Sequence, residues 1–236
     1  FRNLKFFLDI GLIKNKNYDY YINISGKYKF NFINYIKNNN NLYILNIFGL
    51  NAWNSWKNIL NNININDYKY FIFLKDKIRG PYNIVENWID YFINNLNNNV
   101  LISGYGTSPL GKLYYLPYIA DKFICLEKNV LQLLLNNNIF NKYTYDCKEG
   151  GFEIKTNKIE QSVEIKLSKL LLDNNIEYVV LDKNGILNLD ILKYYKEKNW
   201  DKLFEITKNL HKINDTTIQN RLFWTGNIMK EILDNN

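Results

Sequence analysis

The stretch Tyr68 to Trp88, YKYFIFLKDKIRGPYNIVENW, decides how the rest of the chain is read. Its aromatic and β-branched run, Tyr70-Phe71-Ile72-Phe73-Leu74, breaks off at Lys75-Asp76-Lys77. Arg79-Gly80-Pro81 comes next, after which Ile84, Trp88 and Phe92 recur at helical spacing. The pattern predicts a buried strand that opens into a polar turn and then a helix. Open α/β sheets bind ligands beyond the carboxyl ends of their strands, so charges bunched there mark the place for a phosphate-bearing ligand. A solvated turn is the alternative that spacing alone allows.

Upstream of that strand, Arg2 to Leu12 carries Leu4, Phe7 and Leu8 on one helical face and stops at Gly11. Strands are expected at Tyr18 to Ile24 and Leu42 to Ile47, a helix at Phe30 to Lys37, and another at Ala52 to Leu60 with Trp53, Trp56 and Leu60 on one stripe. Downstream, Ile84 to Leu96 reads as an amphipathic helix and Val100 to Ser103 as a short strand before the Gly104 to Gly106 turn. Tyr118 to Leu126 is strand-like, Asn129 to Leu135 helix-like, and Asn141 to Lys155, with Gly150-Gly151, a loop. Lys158 to Leu172 reads as a long helix with an apolar stripe of Ile159, Val163, Leu167 and Leu170. Glu177 to Leu181 is a strand, and Leu189 to Leu210 two helices. Strand and helix alternate through the first half, which implies parallel strands joined by right-handed crossovers. The expected fold class is α/β.

A chain of 236 residues can bury a full core, and 47% hydrophobic, 22% charged and 16% aromatic residues is a globular composition. The 30 Lys+Arg against 23 Asp+Glu give a net charge of +7, an excess that favours phosphates or acidic glycans without demanding nucleic acid. Cys125 and Cys147 stand apart with no histidine near either, which speaks against a zinc site. His211 is the only histidine, so Ser-His-Asp schemes have one candidate, and it sits in a polar, surface-like stretch. No stretch approaches the roughly 20 apolar residues of a membrane span, and Phe1-Arg2-Asn3 is not a signal-peptide start. The sequence opens without Met, as a segment of something longer would. The asparagine runs at 38 to 41, 97 to 99 and 136 to 138 mark loops.

Two constellations bear on chemistry. Gly106-Thr-Ser-Pro-Leu-Gly111-Lys112 fits the frame of a phosphate-binding loop, but Leu113 stands where a hydroxyl must hold magnesium, and no helix start follows. Glu160 and Glu164 are spaced four apart on one predicted helix, so both can face one cleft and either can take a proton from a nucleophile. A solvated face pairing with Lys158 and Lys166 is the competing reading.

Taken in order, several segments resemble a glycosyltransferase family of the GT-A fold found in algae, bacteria and large DNA viruses. They are Asn3-Leu-Lys-Phe-Phe7 with Gly11, Tyr18-Asp-Tyr-Tyr-Ile-Asn-Ile-Ser-Gly26, Gly49-Leu-Asn51-Ala-Trp53, and Phe73-Leu-Lys-Asp-Lys-Ile-Arg-Gly-Pro81 with Trp88. Glu164-Ile-Lys-Leu-Ser168 is similar to that family's glutamate-x-x-leucine-serine helix, and Leu222-Phe-Trp-Thr-Gly226 to its C-terminal strand. The resemblance implies one GT-A-like domain over 1–236, with a central, mostly parallel sheet flanked by helices. Residues 1–104 would form the nucleotide-sugar half, and 105–236 a more irregular acceptor half. It implies transfer of a sugar from a nucleoside diphosphate donor to a glycan or glycoprotein hydroxyl, in the cytoplasm, the host's if the source is viral. Gly26, Asn51, Lys75, Lys77, Arg79 and Gly80 would line the donor site, Asp76 would hold a divalent Mn or Mg ion, and Glu164, with Glu160 as understudy, would be the base. A catalytically inactive glycan- or partner-binding domain on the same fold is the other function the resemblance allows.

Overall fold

The computed structural model describes residues 2–13, 15, 17–24, 31–48, 52–75, 78–79, 87–96, 100–104, 119, 123–141, 163–182, 185–213 and 224–225. The chain opens on helix α1 (Arg2–Ile10), which ends where the sequence places Gly11. The Gly11 amide meets the Phe7 carbonyl at 2.6 Å, and a β-carbon at Gly11 would lie 2.6 Å from the Phe7 ring. Only glycine turns the chain away that closely.

Strand β1 (Tyr20–Asn23), helix α2 (Ile33–Asn38) and strand β2 (Leu42–Leu45) follow, and the two strands pair in parallel, Tyr20 opposite Leu42. Helix α3 (Ala52–Leu60) matches the tryptophan stripe, with Trp53, Trp56 and Leu60 all buried. Strand β3 (Tyr70–Leu74) leads to the two-residue β4 (Ile78–Arg79), helix α4 (Trp88–Asn94), strand β5 (Val100–Gly104), strand β6 (Phe123–Glu127) and helix α5 (Lys128–Asn136). Helix α6 (Val163–Asp173), strands β7 (Glu177–Asp182) and β8 (Gly185–Leu187), helices α7 (Ile191–Lys196) and α8 (Trp200–Ile213), and the short β9 (Trp224–Thr225) complete the order.

The protein is thus mixed α/β, but its strands do not all pair as alternation implied. β1 and β2 form a ladder of their own, and a five-stranded ladder runs β3-β6-β5-β7-β8. β3 was expected in parallel beside β1 and β2; instead it is an outer strand of the second ladder and pairs antiparallel with β6, Tyr70 opposite Glu127. The long connection from β5 lets β6 enter between β3 and β5 against both of them, and β5 pairs in parallel with β7. β8 turns back on β7 as a hairpin partner.

Side-chain alternation divides the core between two clusters, one of which spans both ladders. Tyr20 and Ile22 of β1, Leu42 and Ile44 of β2, Tyr70, Ile72 and Leu74 of β3, Phe123 and Cys125 of β6 and Val179 of β7 enter one apolar cluster, covered by α1, α2 and α4. Phe71, Phe73, Ile124, Leu126 and Tyr178 enter the other, covered by α3, α5, α6, α7 and α8. Strands that bury both faces read as continuous apolar runs, which is why Tyr70 to Leu74 shows no polar alternation. Each large side chain so enclosed contributes roughly 1.5–3 kcal/mol.

On α6 the inward residues are Val163, Leu167 and Leu171, each fully buried, and Leu170 is only partly so. The expected stripe therefore shifts by one residue in its last turn. No helix among the described residues is long and apolar enough to cross a membrane.

Candidate functional site at the carboxyl edge of the strands

Tyr68, two residues ahead of β3, donates its hydroxyl to the Asp19 carboxylate, one residue ahead of β1, at 2.6 Å, and meets the Tyr21 hydroxyl at 2.8 Å. β1 and β3 therefore start at one level, and with the pairings above β1, β2, β3, β5 and β7 all point the same way. Their carboxyl ends share one edge. In α/β layers that edge, at the place where successive crossovers switch from one face to the other, is where ligands bind. Here the switch is at β2: α2 lies on the face of α1, and α3 on the opposite face.

Three of the expected site segments converge on this edge. At the end of β1 the Asn23 side chain locks onto β2: its Nδ2 donates to the Ile47 carbonyl at 3.1 Å, and its Oδ1 accepts from the Ile47 amide at 3.0 Å. The Asn58 side chain of α3 donates to the Phe48 carbonyl at 2.9 Å, which ties the chain just past β2 to α3, and Phe48 is 74% exposed. At the end of β3 the Trp56 indole N–H donates to the Leu74 carbonyl at 3.3 Å and fixes the point where Lys75, half-buried, begins the charged segment.

The expected polar turn at Lys75-Asp76-Lys77 lies largely outside the described residues. Ile78 and Arg79 form β4, which pairs antiparallel with β9, Arg79 opposite Trp224. The pairing joins Arg79 to Trp224 near the C-terminal end of the described residues. The short aromatic Phe223-Trp224 pair between polar stretches is the sign of this pairing that the sequence carries. The chain is next fixed at Asn87, whose side chain accepts from the Ile89 and Asp90 amides and caps α4. Asn87 also donates to the Tyr18 hydroxyl at 2.9 Å, and the Trp88 indole donates to the Gly11 carbonyl at 2.9 Å. Both ends of the 75–87 connection are therefore pinned to the first-half core.

The base candidates come from the other side of the layer. α6 ends at a tight turn, with Asn175 at φ 60°, that feeds directly into β7. α6 consequently runs antiparallel to β7, and Glu164, its second residue, lies at the carboxyl edge of the strands, on the same edge as Leu74 and Lys75. Eleven helical residues at about 1.5 Å each span roughly the height of a five- or six-residue strand, which brings the helix start level with the strand ends.

Ser168 of the same segment has a structural task. It is fully buried, and its Oγ accepts the Ile119 amide at 2.9 Å and meets the Tyr178 hydroxyl. Burial pushes the Tyr178 phenol well above its usual range, so it remains a hydroxyl. The serine thus ties the 105–122 connection, at Ile119, to α6 and β7.

Gly26, Asn51, Asp76, Lys77, Gly80 and Glu160 lie outside the described residues, as do the Gly106 to Lys112 segment, Gly150-Gly151 and Cys147. Cys125 is buried in β6, and its thiol is held far above its usual range by that burial. Among the described residues no three His, Cys, Asp or Glu side chains come together as a metal-binding group. In the sequence that follows β3, one carboxylate, Asp76, stands between Lys75 and Lys77. The chain has no significant match to a protein-family model, a curated protein or a solved structure.

Proposed function

We propose that the protein is a glycosyltransferase that moves a sugar from a nucleoside diphosphate donor to a hydroxyl of a glycan or glycoprotein. One observation supports the reading: β3, which ends just ahead of Lys75, runs parallel to β5 and β7, and α6 runs back along β7, so Lys75 and the start of α6 with Glu164 lie toward the same edge of the five-stranded ladder. The reaction needs those two kinds of group on opposite sides of one reacting carbon. Negative charge grows on the departing diphosphate, and fixed cations stabilise it without reorganising. The acceptor hydroxyl must lose its proton as its oxygen bonds to the anomeric carbon, which a carboxylate can accept.

In this reading Lys75, Lys77 and Arg79 neutralise the diphosphate, and the Arg79 guanidinium can grip two phosphate oxygens at once. Asp76 would hold a Mn or Mg ion, which supplies further charge neutralisation on the leaving phosphates when bound. Gly26, Asn51 and Gly80, which follow β1, β2 and β4 in sequence, would line the donor. Glu164 is the base, with Glu160, four positions before it in sequence, as its understudy.

Isothermal titration with a panel of nucleotide sugars and Mn tests the donor half of the reading. Saturable heat with at least one donor, weakened in Arg79→Ala, is expected. Absence of donor binding at millimolar concentration would favour the alternative, an inactive glycan- or partner-binding domain.

A further inference from the structure

We propose that the outer edge of β2 is an interface between two copies of this chain, which pair their β2 strands antiparallel about a twofold axis beside Ile44. The pairing is independent of any reading of the activity. In the parallel ladder the Tyr20 amide donates to Asn41 and the Ile24 amide to Leu45, so Asn41, Tyr43 and Leu45 aim their backbone groups at β1. Successive residues of a strand aim at opposite edges, and those of Leu42, Ile44 and Asn46 face the side on which β2 has no ladder partner among the described residues. The Leu42 amide is taken by the Asn39 carbonyl at 3.1 Å. An axis at Ile44 leaves that bond alone: Ile44 exchanges two hydrogen bonds with its own copy, and each Asn46 amide meets the Leu42 carbonyl of the other chain.

Charge and symmetry select a second copy as the occupant. No charged residue and no proline stands between Lys37 and Lys57, so this strand lacks the devices that blunt an exposed edge. A charged partner would find nothing to pair with there, whereas the same edge of a second chain, for all its net charge of +7, brings no like charge to the contact. Four of the six exposed large hydrophobics among the described residues flank the edge: Ile33, Ile36, Tyr43 and Phe48. Ile33 and Ile36 share one side of α2, turned from Tyr35, whose hydroxyl donates to Asp9 of α1. A twofold axis perpendicular to the sheet brings both α2 helices to the same face, where these two stripes meet. On the opposite face the Tyr43 ring stacks on Tyr21 at 4.8 Å and is still 43% exposed. Across the axis the two Tyr43 residues are diagonal neighbours about 7–8 Å apart, within reach of each other's rings. The pairing turns a two-stranded ladder into one of four strands.

Sedimentation of the chain at about 100 µM is expected to give twice the 28.3 kDa chain mass. Tyr43→Lys and Tyr43→Glu should each keep the far-UV circular dichroism of the parent and sediment as single chains, because each sets two like charges near one another across the axis. Mixed in equal amounts, the two variants should recover the dimer, which neither a foreign occupant nor a nonspecific apolar contact would produce. A second readout needs no substitution. In the parent, the Ile44 and Asn46 amides should exchange at least about tenfold more slowly at about 100 µM than at about 1 µM, while the Tyr43 and Leu45 amides, aimed at β1, change little. A parent that is a single chain at about 100 µM would overturn the proposal. So would a dimer that persists in both variants, variants that stay apart when mixed, or Ile44 and Asn46 exchange that does not depend on concentration.

Discussion

The hydroxyl of Tyr68 donates to the carboxylate of Asp19 across 2.6 Å, joining the residues that lead into β3 and β1. Because those strands share no ladder, this hydrogen bond and the Tyr21–Tyr68 contact are what align the two ladders at their amino ends. Burial first, and the Asp19 hydrogen bond second, push the Tyr68 phenol far up, so the donor stays protonated throughout the neutral range. Tyr68→Phe is expected to cost about 1 kcal/mol by denaturant titration. Tyr21→Phe combined with it should cost less than the sum of the two, since both act through one network. Full additivity would show that the three side chains do not work together.

Ser168→Ala leaves the buried Ile119 amide without its acceptor. An orphaned buried donor costs about 1–3 kcal/mol, more than the bond itself is worth. A drop in the urea midpoint of that size is expected, with rescue by Ser168→Thr limited by the space around a residue that has no exposure. A neutral Ser168→Ala would contradict the assigned role.

Two groups make stability depend on pH in known directions. Burial raises the Glu177 carboxyl above its ordinary value, against the Leu192 amide that donates to it at 3.2 Å. The folded state then holds that proton more tightly than the unfolded chain. Its contribution is fully present below the unfolded value of about 4.3 and is lost as pH rises through the raised folded value. Glu177→Gln keeps the acceptor for Leu192 and should raise the urea midpoint at pH 7 more than at pH 4. At the alkaline end, burial holds the Tyr20 phenol up to about 12. Stability from Tyr20 is complete below the unfolded value of about 10 and falls between there and pH 12, a loss that Tyr20→Phe should reduce.

How much of this was legible in the sequence follows from the range of the interactions. α3 and the buried Trp53, Trp56 and Leu60 were readable because helical spacing is local, and the stop at Gly11 because one residue type fits it. The position of β3 was readable, but not its partner. Tyr70 to Leu74 is apolar on both faces whether it pairs parallel with β1 or antiparallel with β6, so periodicity carries no information about which. The β4-β9 pairing joins residues more than a hundred positions apart, and its local trace, the short aromatic Phe223-Trp224 pair, does not say which segment it pairs with. Ser168 was noted through a motif; that it accepts the Ile119 amide follows only from packing.

Glu164 is expected to matter for rate and not for folding. Glu164→Gln should leave the unfolding midpoint and donor binding in place while transfer falls by about a hundredfold or more, the scale of a lost general base. A matching pH profile, in which the acidic limb of kcat disappears in the variant, separates a base from a merely structural carboxylate. Loss of stability with no change in rate per folded molecule would contradict the assignment.

The central claim, that the charged segment after β3 holds a nucleotide-sugar diphosphate, is tested most directly by donor turnover. Hydrolysis and transfer should be followed over a panel of nucleotide sugars, with Mn and with chelator, in the parent chain and in the Asp76→Asn, Arg79→Ala double variant. The account expects at least one donor to be consumed by the parent and essentially none by the double variant. Turnover that persists in chelator would assign the neutralisation to Lys75, Lys77 and Arg79. Full activity in the double variant would contradict the claim.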